Sequence, residues 1–493
     1  MSANTLSKLT LVLLAAMGLL LSACNDDDDD DDDTLAVYET TSETQPGPDG
    51  TDRNVIIVNG TPEGIGSANE TWSKDNIYVL NGLVFVQEGQ SLKIEPGTVI
   101  KGRPTPTNGS VSSALVVARG GSINAAGTPT EPIIFTSEID DVSDPTDLTG
   151  SNLRGQWGGV VILGRATTNT SANPDNNIEG IEITEARGLY GGDNDADNSG
   201  VFKYVSIRHG GQEIGPGNEI NGLTMGAVGS GTEINHVEVI YNTDDGFEWF
   251  GGTVNTSHLV AAFCGDDAYD YDQGWRGQNQ FLYAVQGAGS TGDGGEHDGG
   301  TDPETGTPYS TPVFYNVTYQ TVPSLNTRLF NIRDNAGGKY FNSVFAGFAR
   351  SAQIEDLESG EDTWNRYITG DLELISNVWE SIGGEDGVAR VVGTTDSAEL
   401  AANTQTFIDY LLSDDAGPNI VSTGNLTNYS DAVGAKELDP RPVAGSDAAA
   451  AGAAVRAEYA FIQDVNYRGA FEPGQDLWLR GWTFLDEADY IVD

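Results

Sequence analysis

A 22-residue repeat constrains the fold of this chain more than any other feature of its sequence. The segment His236–Trp249 aligns with the segment His258–Tyr271 at a constant offset of 22 residues, which is 258 minus 236. Each copy is a short apolar run followed by a corner rich in Gly, Asn and Asp. Further copies begin at Tyr204, Phe281, Phe314, Phe341 and Ile375. This period predicts a solenoid whose coils bury their apolar side by stacking on their neighbours.

Alternation of apolar and polar residues within each copy predicts β-strands, because successive side chains of a strand point to opposite faces. Val237 and Val239 should face the core. Their neighbours His236 and Glu238 should face outward, and so should His258 one coil later. No third ligand of matched spacing accompanies the two histidines, so we expect a solvent-facing ladder and not a zinc site. The sequence therefore predicts an all-β parallel β-helix.

The chain is predicted to have four segments. They are a signal peptide at 1–23, an acidic tether at 24–53, the β-helix at 54–382 and a mixed or helical C-terminal cap at 383–493. In the cap, Asp396 with Glu399 forms a capping box for a helix. We expect the cap to cover the unpaired strands of the last coil, held down by Trp478, Trp482 and Phe484.

The N-terminus indicates export and lipid attachment. Lys8 precedes an apolar run, Leu9–Leu21, that is too short for a bilayer span and typical of a signal peptide. The run ends in Leu-Ser-Ala-Cys, which resembles a bacterial lipobox and makes Cys24 the lipid-modified first residue of the mature chain. The aspartates at 26–33 form a solvated tether. We expect a lipoprotein of the outer membrane, on the cell surface or the periplasmic face.

Charge narrows the set of partners. The formal net charge is −50, which disfavours nucleic acid, anionic lipid and bare polyanionic glycans. The same field favours divalent cations. Apart from Cys24, the sequence has one cysteine, Cys264, and it is expected to be a small core residue in a fold without disulfides.

One repeated column is acidic and is the first candidate site. It stacks Asp244 and Asp245 on Asp266 and Asp267, and Glu248 on Asp270. Carboxylates on coils about 4.8 Å apart repel one another unless solvent, raised pKa values or a bound cation relieves them. Ca²⁺ is the cation we expect, because it takes several oxygen ligands in loose geometry. Aspartate at such corners is also common for turn reasons alone.

A second acidic loop offers oxygen side chains at alternate positions, Asp193, Asp195 and Asp197. This spacing suits Ca²⁺, although Asn198 stands where a helix-loop-helix calcium loop needs glycine. A plain solvated insertion is the alternative.

An aromatic column runs beside the acidic one and includes Trp249 and Tyr271. If these rings faced outward they would form a platform for sugar rings. Aromatic residues in stacked coils are normally buried, so a core position is the favoured interpretation.

Several phrases of the sequence resemble a family of largely uncharacterised right-handed β-helix lipoproteins of Gram-negative bacteria. They include Trp157–Gly164, Asp244–Gly252 and Val465–Phe471. The resemblance implies the fold and export, and it implies no established chemistry. We accordingly expect a lipid-anchored binding module whose acidic loops contact extracellular glycans, matrix or partner proteins.

A β-helix enzyme is the alternative. Asp244, Asp266 and Asp267 are similar to the catalytic aspartates of polygalacturonase-type hydrolases, in which paired carboxyl groups cleave a glycosidic bond. The His and Arg motifs of that family have only broken matches, at His297 and Arg333. A polysaccharide lyase would need a basic residue over Ca²⁺, and the candidates are Arg276, Arg328 and Arg333. The negative field would oppose a uronate substrate.

Overall fold

The computed structural model describes residues 35–214, 219–287, 289–300, 302–384, 387–395, 397–413, 417, 419–428 and 437–492. The compact unit formed by these residues begins at Ala36. The predicted signal peptide, Cys24 and the aspartate run lie outside the described residues. Among the helices that are described, none is long and apolar enough to cross a membrane.

Parallel strands dominate the described residues and form two large sheets. The 20-stranded sheet contains Tyr38–Pro46, Asp52–Asn59, Asn69–Trp72, Asn76–Asn81, Ser91–Ile94, Val99–Gly102, Ser122–Ala126, Ile133–Ser137, Gly200–Arg208, Glu233–Ile240, Thr256–Ala262, Gln278–Gln280, Tyr283–Val285, Val313–Tyr315, Thr318–Gln320, Gly338–Phe341, Val344–Ala346, Leu372–Ile375, Val378–Glu380 and Ile420–Val421. The 10-stranded sheet contains Leu83–Val86, Ala114–Val117, Val160–Leu163, Leu223–Gly226, Phe247–Phe250, Tyr269–Asp272, Gly295–Asp298, Arg328–Arg333, Arg350–Glu355 and Ala389–Val392. Tyr38–Pro46 is antiparallel to its neighbour and closes the first coil.

Smaller elements decorate the coils. Two short antiparallel pairs join Asn176–Asn177 to Leu189–Tyr190 and Leu426–Asn428 to Asp439–Pro442. The α-helices are α1 (Thr363–Thr369), α2 (Ala398–Leu411) and α3 (Phe484–Glu487), and 3₁₀ turns lie at Gly150–Asn152, Ala186–Gly188 and Pro323–Leu325.

The strand register confirms the repeat. Val237 lies beside Leu259 in the large sheet, and Phe247 lies beside Tyr269 in the 10-stranded sheet, each pair 22 residues apart. Strands of the large sheet bend at one column of left-handed residues, where φ lies between 49° and 61°. This column comprises Tyr204, His236, His258, Phe281, Asn316, Asn342 and Ser376. Asparagine tolerates this conformation better than most residues, and it fills the column at 316 and 342.

The C-terminal region differs from the predicted end cap. Helix α2 does lie at the end of the solenoid, where Thr404 Oγ1 accepts a hydrogen bond from the backbone N–H of Val391 in the last strand. Its N-cap is Ser397, and Asp396 lies outside the described residues. Residues 437–492, here called the C-terminal strap, instead run back along the outer face of the large sheet. Ala470 contacts Thr318, and Trp478 contacts His258.

The strap corrects the prediction of a solvent-facing histidine ladder. The rings of His236 and His258 do stack, with centroids 4.2 Å apart, but Trp478 and Trp482 of the strap pack edge-on against them. Glu238 also points away from the solenoid core, and it is fully buried, accepting hydrogen bonds from the backbone N–H groups of two strap residues at 2.6 and 3.1 Å. These outward positions are therefore an interface within the chain.

Candidate functional site

The outer face of the 10-stranded sheet changes character along the solenoid. Its first three strands present Phe85, Val116 and Val161, which are buried against an inserted segment that includes Ile178 and Ile181. From the fourth strand onward the same column is polar. In register it runs Thr224, Glu248, Asp270, Glu296, Asn331, Gln353 and Arg390. The insertion therefore covers the apolar half and leaves the polar half as the candidate site.

The corner before this sheet carries a ladder of aspartates that supports the stacking of the coils. The backbone N–H of Asp267 donates to Asp245 Oδ1 at 2.9 Å. One coil further on, the backbone N–H of Asp293 donates to Asp267 Oδ1. The ladder ends at Arg328, whose Nε lies 3.4 Å from Asp293 Oδ2. Asp245 and Asp267 thus each satisfy a backbone donor of the next coil, and these contacts between coils differ from the local turn contacts expected for aspartate at a corner.

Two overlapping groups of carboxylates converge where the corner meets the sheet. The first is Asp244, Asp245 and Asp266, and the second is Asp245, Glu248 and Asp270. Within each group, one oxygen from every residue lies within 4.8 Å of the others. We call these five residues the acidic cluster. The structure therefore brings together five of the six residues predicted for this site. The sixth, Asp267, lies alongside and donates its backbone N–H to Asp245.

Several buried oxygens at the acidic cluster lack a hydrogen-bond donor. Asn221 is 1% exposed and its Nδ2 donates to Glu248 Oε2, which places its amide beside the cluster. Among the described residues, no donor reaches Asn221 Oδ1 or Asp270 Oδ1, and both atoms are buried. A buried acceptor left without a partner costs about 1–3 kcal/mol. These oxygens therefore need hydrogen-bond donors or a cation.

The electrostatics of the cluster agree with this demand. Burial, and after it the charges of the neighbouring carboxylates, raises the pKa of Asp244 to about 7. Burial, followed by the nearby acids, also holds the pKa values of Asp245, Glu248 and Asp270 well above their ordinary range. Buried carboxylates in this arrangement need protons or a cation. Their oxygen-only donor set fits Ca²⁺ and lacks the nitrogen and sulfur ligands typical of zinc.

Arginines adjoin the acidic cluster on the later coils. Arg333 pairs with Glu296 at 3.1 Å and with Asp298 at 2.9 Å. Arg328 is largely buried, and burial lowers the pKa of its guanidinium. A groove of about 400 Å³ begins here. It is lined by Arg328, Asn331, Arg333, Gln353, Glu355, Leu357, Val392, Gly393 and Thr394.

Other predicted site residues are placed elsewhere. His297 is 0% exposed inside the solenoid, where its Nε2 lies 2.7 Å from the hydroxyl of Tyr340, so it is wrong as a catalytic candidate. Trp249 and Tyr271 are 0% and 1% exposed and cannot stack a sugar ring, because both project into the core. Arg276 pairs with Asp195 at 2.9 Å, away from the acidic cluster.

The second acidic loop does not gather its carboxylates. Asp195 Oδ1 accepts the backbone N–H of Thr167 and its Oδ2 pairs with Arg276, while Asp197 Oδ2 accepts the backbone N–H of Arg165. Asp193 belongs to none of the acidic groups that converge within the described residues. These side chains tie the loop to neighbouring coils, which corrects the prediction of calcium binding there.

Sequence reasoning missed Asn221 and Asp293. Asp293 occupies the same corner as Asp267, but a longer loop moves it to an offset of 26 residues, which is 293 minus 267. A search for aspartate at a strict 22-residue period cannot find it. A search for aspartate two residues before each strand of the 10-stranded sheet would have found Asp245, Asp267 and Asp293 together.

Fold and site together define a parallel β-helix protein with a buried acidic cluster on its polar face. The family profile described as the pectate-lyase-like beta helix domain matches residues 64–410. The chain therefore belongs to this family, which confirms the right-handed parallel β-helix. The crystal structure of pectate lyase Pel9A is similar over 79% of this chain and 89% of that chain, with 13% identity and a TM-score of 0.31. Comparison with curated proteins gives no sequence match.

Proposed function

We propose that the acidic cluster binds Ca²⁺ and that the ion makes the polar face of the 10-stranded sheet a binding surface for a carboxylated polysaccharide. The observation that supports this most strongly is the convergence of the Asp245, Glu248 and Asp270 oxygens within 4.8 Å. The donorless oxygens of Asp270 and Asn221 beside them add to it. Ca²⁺ would neutralise carboxylates that otherwise repel one another in a buried setting.

A carboxylated sugar polymer suits the remaining features of this face. A bound Ca²⁺ would offset the negative field that opposes an anionic ligand, and part of its coordination shell could be filled by the ligand's carboxylates. Arg328 and Arg333 lie on the adjoining coils, and arginine recognises carboxylates through paired hydrogen bonds. The groove at these residues provides an open cleft in which further sugar units could lie.

Calorimetry of the purified chain tests the metal component. Asp270→Asn should weaken Ca²⁺ binding at least tenfold, because it removes a cluster charge and keeps the shape of the side chain. Asp193→Asn is the matched control, since it removes one carboxylate from the loop whose acids do not converge, and it should bind like the wild type. Absence of Ca²⁺ heat in the wild type, or equal affinity in Asp270→Asn, would refute the metal site.

Binding to polygalacturonate, with dextran as the neutral control polymer, tests the ligand component. We expect retention of the wild-type chain on polygalacturonate only with Ca²⁺, and loss of retention for Arg333→Gln. Equal retention on dextran would show that the ligand's carboxylates are not needed for binding. Retention that survives chelation would separate ligand binding from the metal.

Polysaccharide lyase activity is a second candidate function, supported by Arg328. A lyase base takes the proton from the carbon next to the uronate carboxylate, the bond to the glycosidic oxygen breaks, and a carbon–carbon double bond forms. Burial lowers the pKa of Arg328 beside the acidic cluster, as a basic residue in this role requires. A rise in ultraviolet absorbance from unsaturated product, abolished in Arg328→Lys, would support the lyase. Binding of polygalacturonate without any rise in absorbance would contradict the lyase and would support a binding function alone.

We also propose that the chain is held outside the cytoplasm by a lipid anchor at Cys24. Support comes only from the lipobox-like sequence and the aspartate run that follows it. Mass spectrometry of the chain purified from membranes should find a diacylglyceryl-modified Cys24, and Cys24→Ser should release the protein from the membrane fraction. An unmodified N-terminal cysteine would contradict the anchor.

A further inference from the structure

A third group of carboxylates lies apart from the acidic cluster, at the other edge of the 10-stranded sheet. Asp334 directly follows the strand Arg328–Arg333, and Glu355 ends the strand Arg350–Glu355. Glu304 reaches them from a loop of the preceding coil. One oxygen from each of the three residues lies within 4.8 Å of the others. We propose that Glu304, Asp334 and Glu355 bind a second Ca²⁺ ion.

The buried side chain of Asn335 points to a cation independently of the three acids. Asn335 is 0% exposed, and its Nδ2 donates to the backbone oxygen of Glu304 at 3.1 Å. This hydrogen bond holds the buried amide of Asn335 against the loop that carries Glu304. No donor from the described residues reaches Asn335 Oδ1, and Glu304 Oε1 is likewise buried without a donor. Both atoms are acceptors, and a cation would satisfy them together with the three carboxylates.

Contacts within the group leave oxygens available for an ion. Glu355 Oε2 accepts the backbone N–H of Asp334 at 2.8 Å, which fixes the carboxylate and leaves its other oxygen. Arg333 Nε lies 3.6 Å from Asp334 Oδ2, but this arginine also pairs with Glu296 and is 42% exposed. Burial, and after it the charges of Asp334 and Glu304, raises the pKa of Glu355 to about 7. Because Arg333 is shared with Glu296, it neutralises only part of the negative charge of the three acids.

A second ion would have a consequence for the adjoining groove. Glu355 lines both the group and the groove that contains Arg328 and Arg333. The ion would join the Glu304 loop to the strand end at Glu355 and so fix one wall of that groove. Arg333 contacts Asp334 of the second site and also Glu296, which lies beside Asp270 of the acidic cluster in the sheet.

The number of bound ions tests this inference and separates it from the acidic cluster. Equilibrium dialysis of the full chain against Ca²⁺ should give one ion fewer for Glu304→Gln and for Glu355→Gln than for the wild type. Glu358→Gln removes an exposed charge nearby, and it should keep the wild-type number. Asp270→Asn should lose a different ion, so its combination with Glu304→Gln should lose both.

Two results would overturn the second site. The first is a wild-type number of ions in both Glu304→Gln and Glu355→Gln, which would mean that water alone satisfies the buried oxygens. The second is equal loss in Glu358→Gln, which would indicate a diffuse charge effect. If Asp270→Asn keeps every ion while Glu304→Gln loses one, the proposed function fails and this site stands. Asn335→Gly keeps the left-handed backbone and all three acids, so it should bind the second ion at least tenfold more weakly.

Discussion

The stacked histidines beneath the strap should make the stability of this protein fall as the pH falls. Burial lowers the pKa of His236 to about 4, and burial together with the neighbouring His236 lowers the pKa of His258 to about 3. In the unfolded chain both should titrate near 6.5. Between these values the unfolded state binds more protons than the folded state, so acid favours unfolding. The two rings contribute stability that is complete above pH 6.5 and is lost as the pH falls below it.

The magnitude follows from the pKa shifts. Lowering the pH from 7.5 to 5 should cost about 2 kcal/mol for each histidine, or at most about 4 kcal/mol together, from 1.36 kcal/mol per pKa unit. Carboxylates with raised pKa values, such as Asp244 and Asp298 at about 7, act in the opposite direction. Their contribution is common to the wild type and to a histidine variant. The difference between the two proteins isolates the histidines.

Urea unfolding at pH 7.5 and pH 5 measures this difference. In the double variant His236→Asn, His258→Asn, asparagine occupies the left-handed position that Asn316 and Asn342 hold in the same column. The variant should be less stable at pH 7.5, because the ring stacking is lost. Its change in unfolding free energy between the two pH values should be more favourable than that of the wild type by up to about 4 kcal/mol. Identical changes in both proteins would refute the reasoning.

Three further predictions concern the strap and the acidic cluster. Trp482→Ala should lower the free energy of unfolding by about 3–5 kcal/mol, measured by urea titration, whereas Ala at the partly exposed Phe461 should cost far less. Glu238→Ala should cost about 3–5 kcal/mol in the same assay, because it leaves the Ser206 hydroxyl and the strap N–H groups without their buried acceptor and removes a negative charge near Arg208, and a cost below 1 kcal/mol would contradict this role. Chelation of Ca²⁺ should lower the melting temperature of the wild type more than that of Asp270→Asn, because the variant keeps only the second proposed ion. Equal shifts would place the responsible ion elsewhere.

The acidic cluster shows which residues of a site the 22-residue repeat can predict and which it cannot. Asp244 and Asp266 could be paired from sequence because a constant period makes residues one coil apart lateral neighbours. Glu248 and Asp270 followed for the same reason, and the register confirms that pair. Asn221 was missed because its contact with Glu248 spans 27 residues and not the 22 of the repeat, and because it is asparagine at the position before the strand where the next coils carry aspartate.

The repeat and the alternation within it determined the stacked coils, their register and which residues face the core, because each of these depends on a local pattern. Only the tertiary structure decided whether each outward-facing residue is covered by another segment or remains uncovered. His236 and Glu238 are covered by a strap more than 200 residues away in sequence, whereas Asp270 and Arg333 lie on the face left uncovered. Burial of an outward position depends on which distant segment packs over it, and no periodicity within the coils encodes that choice.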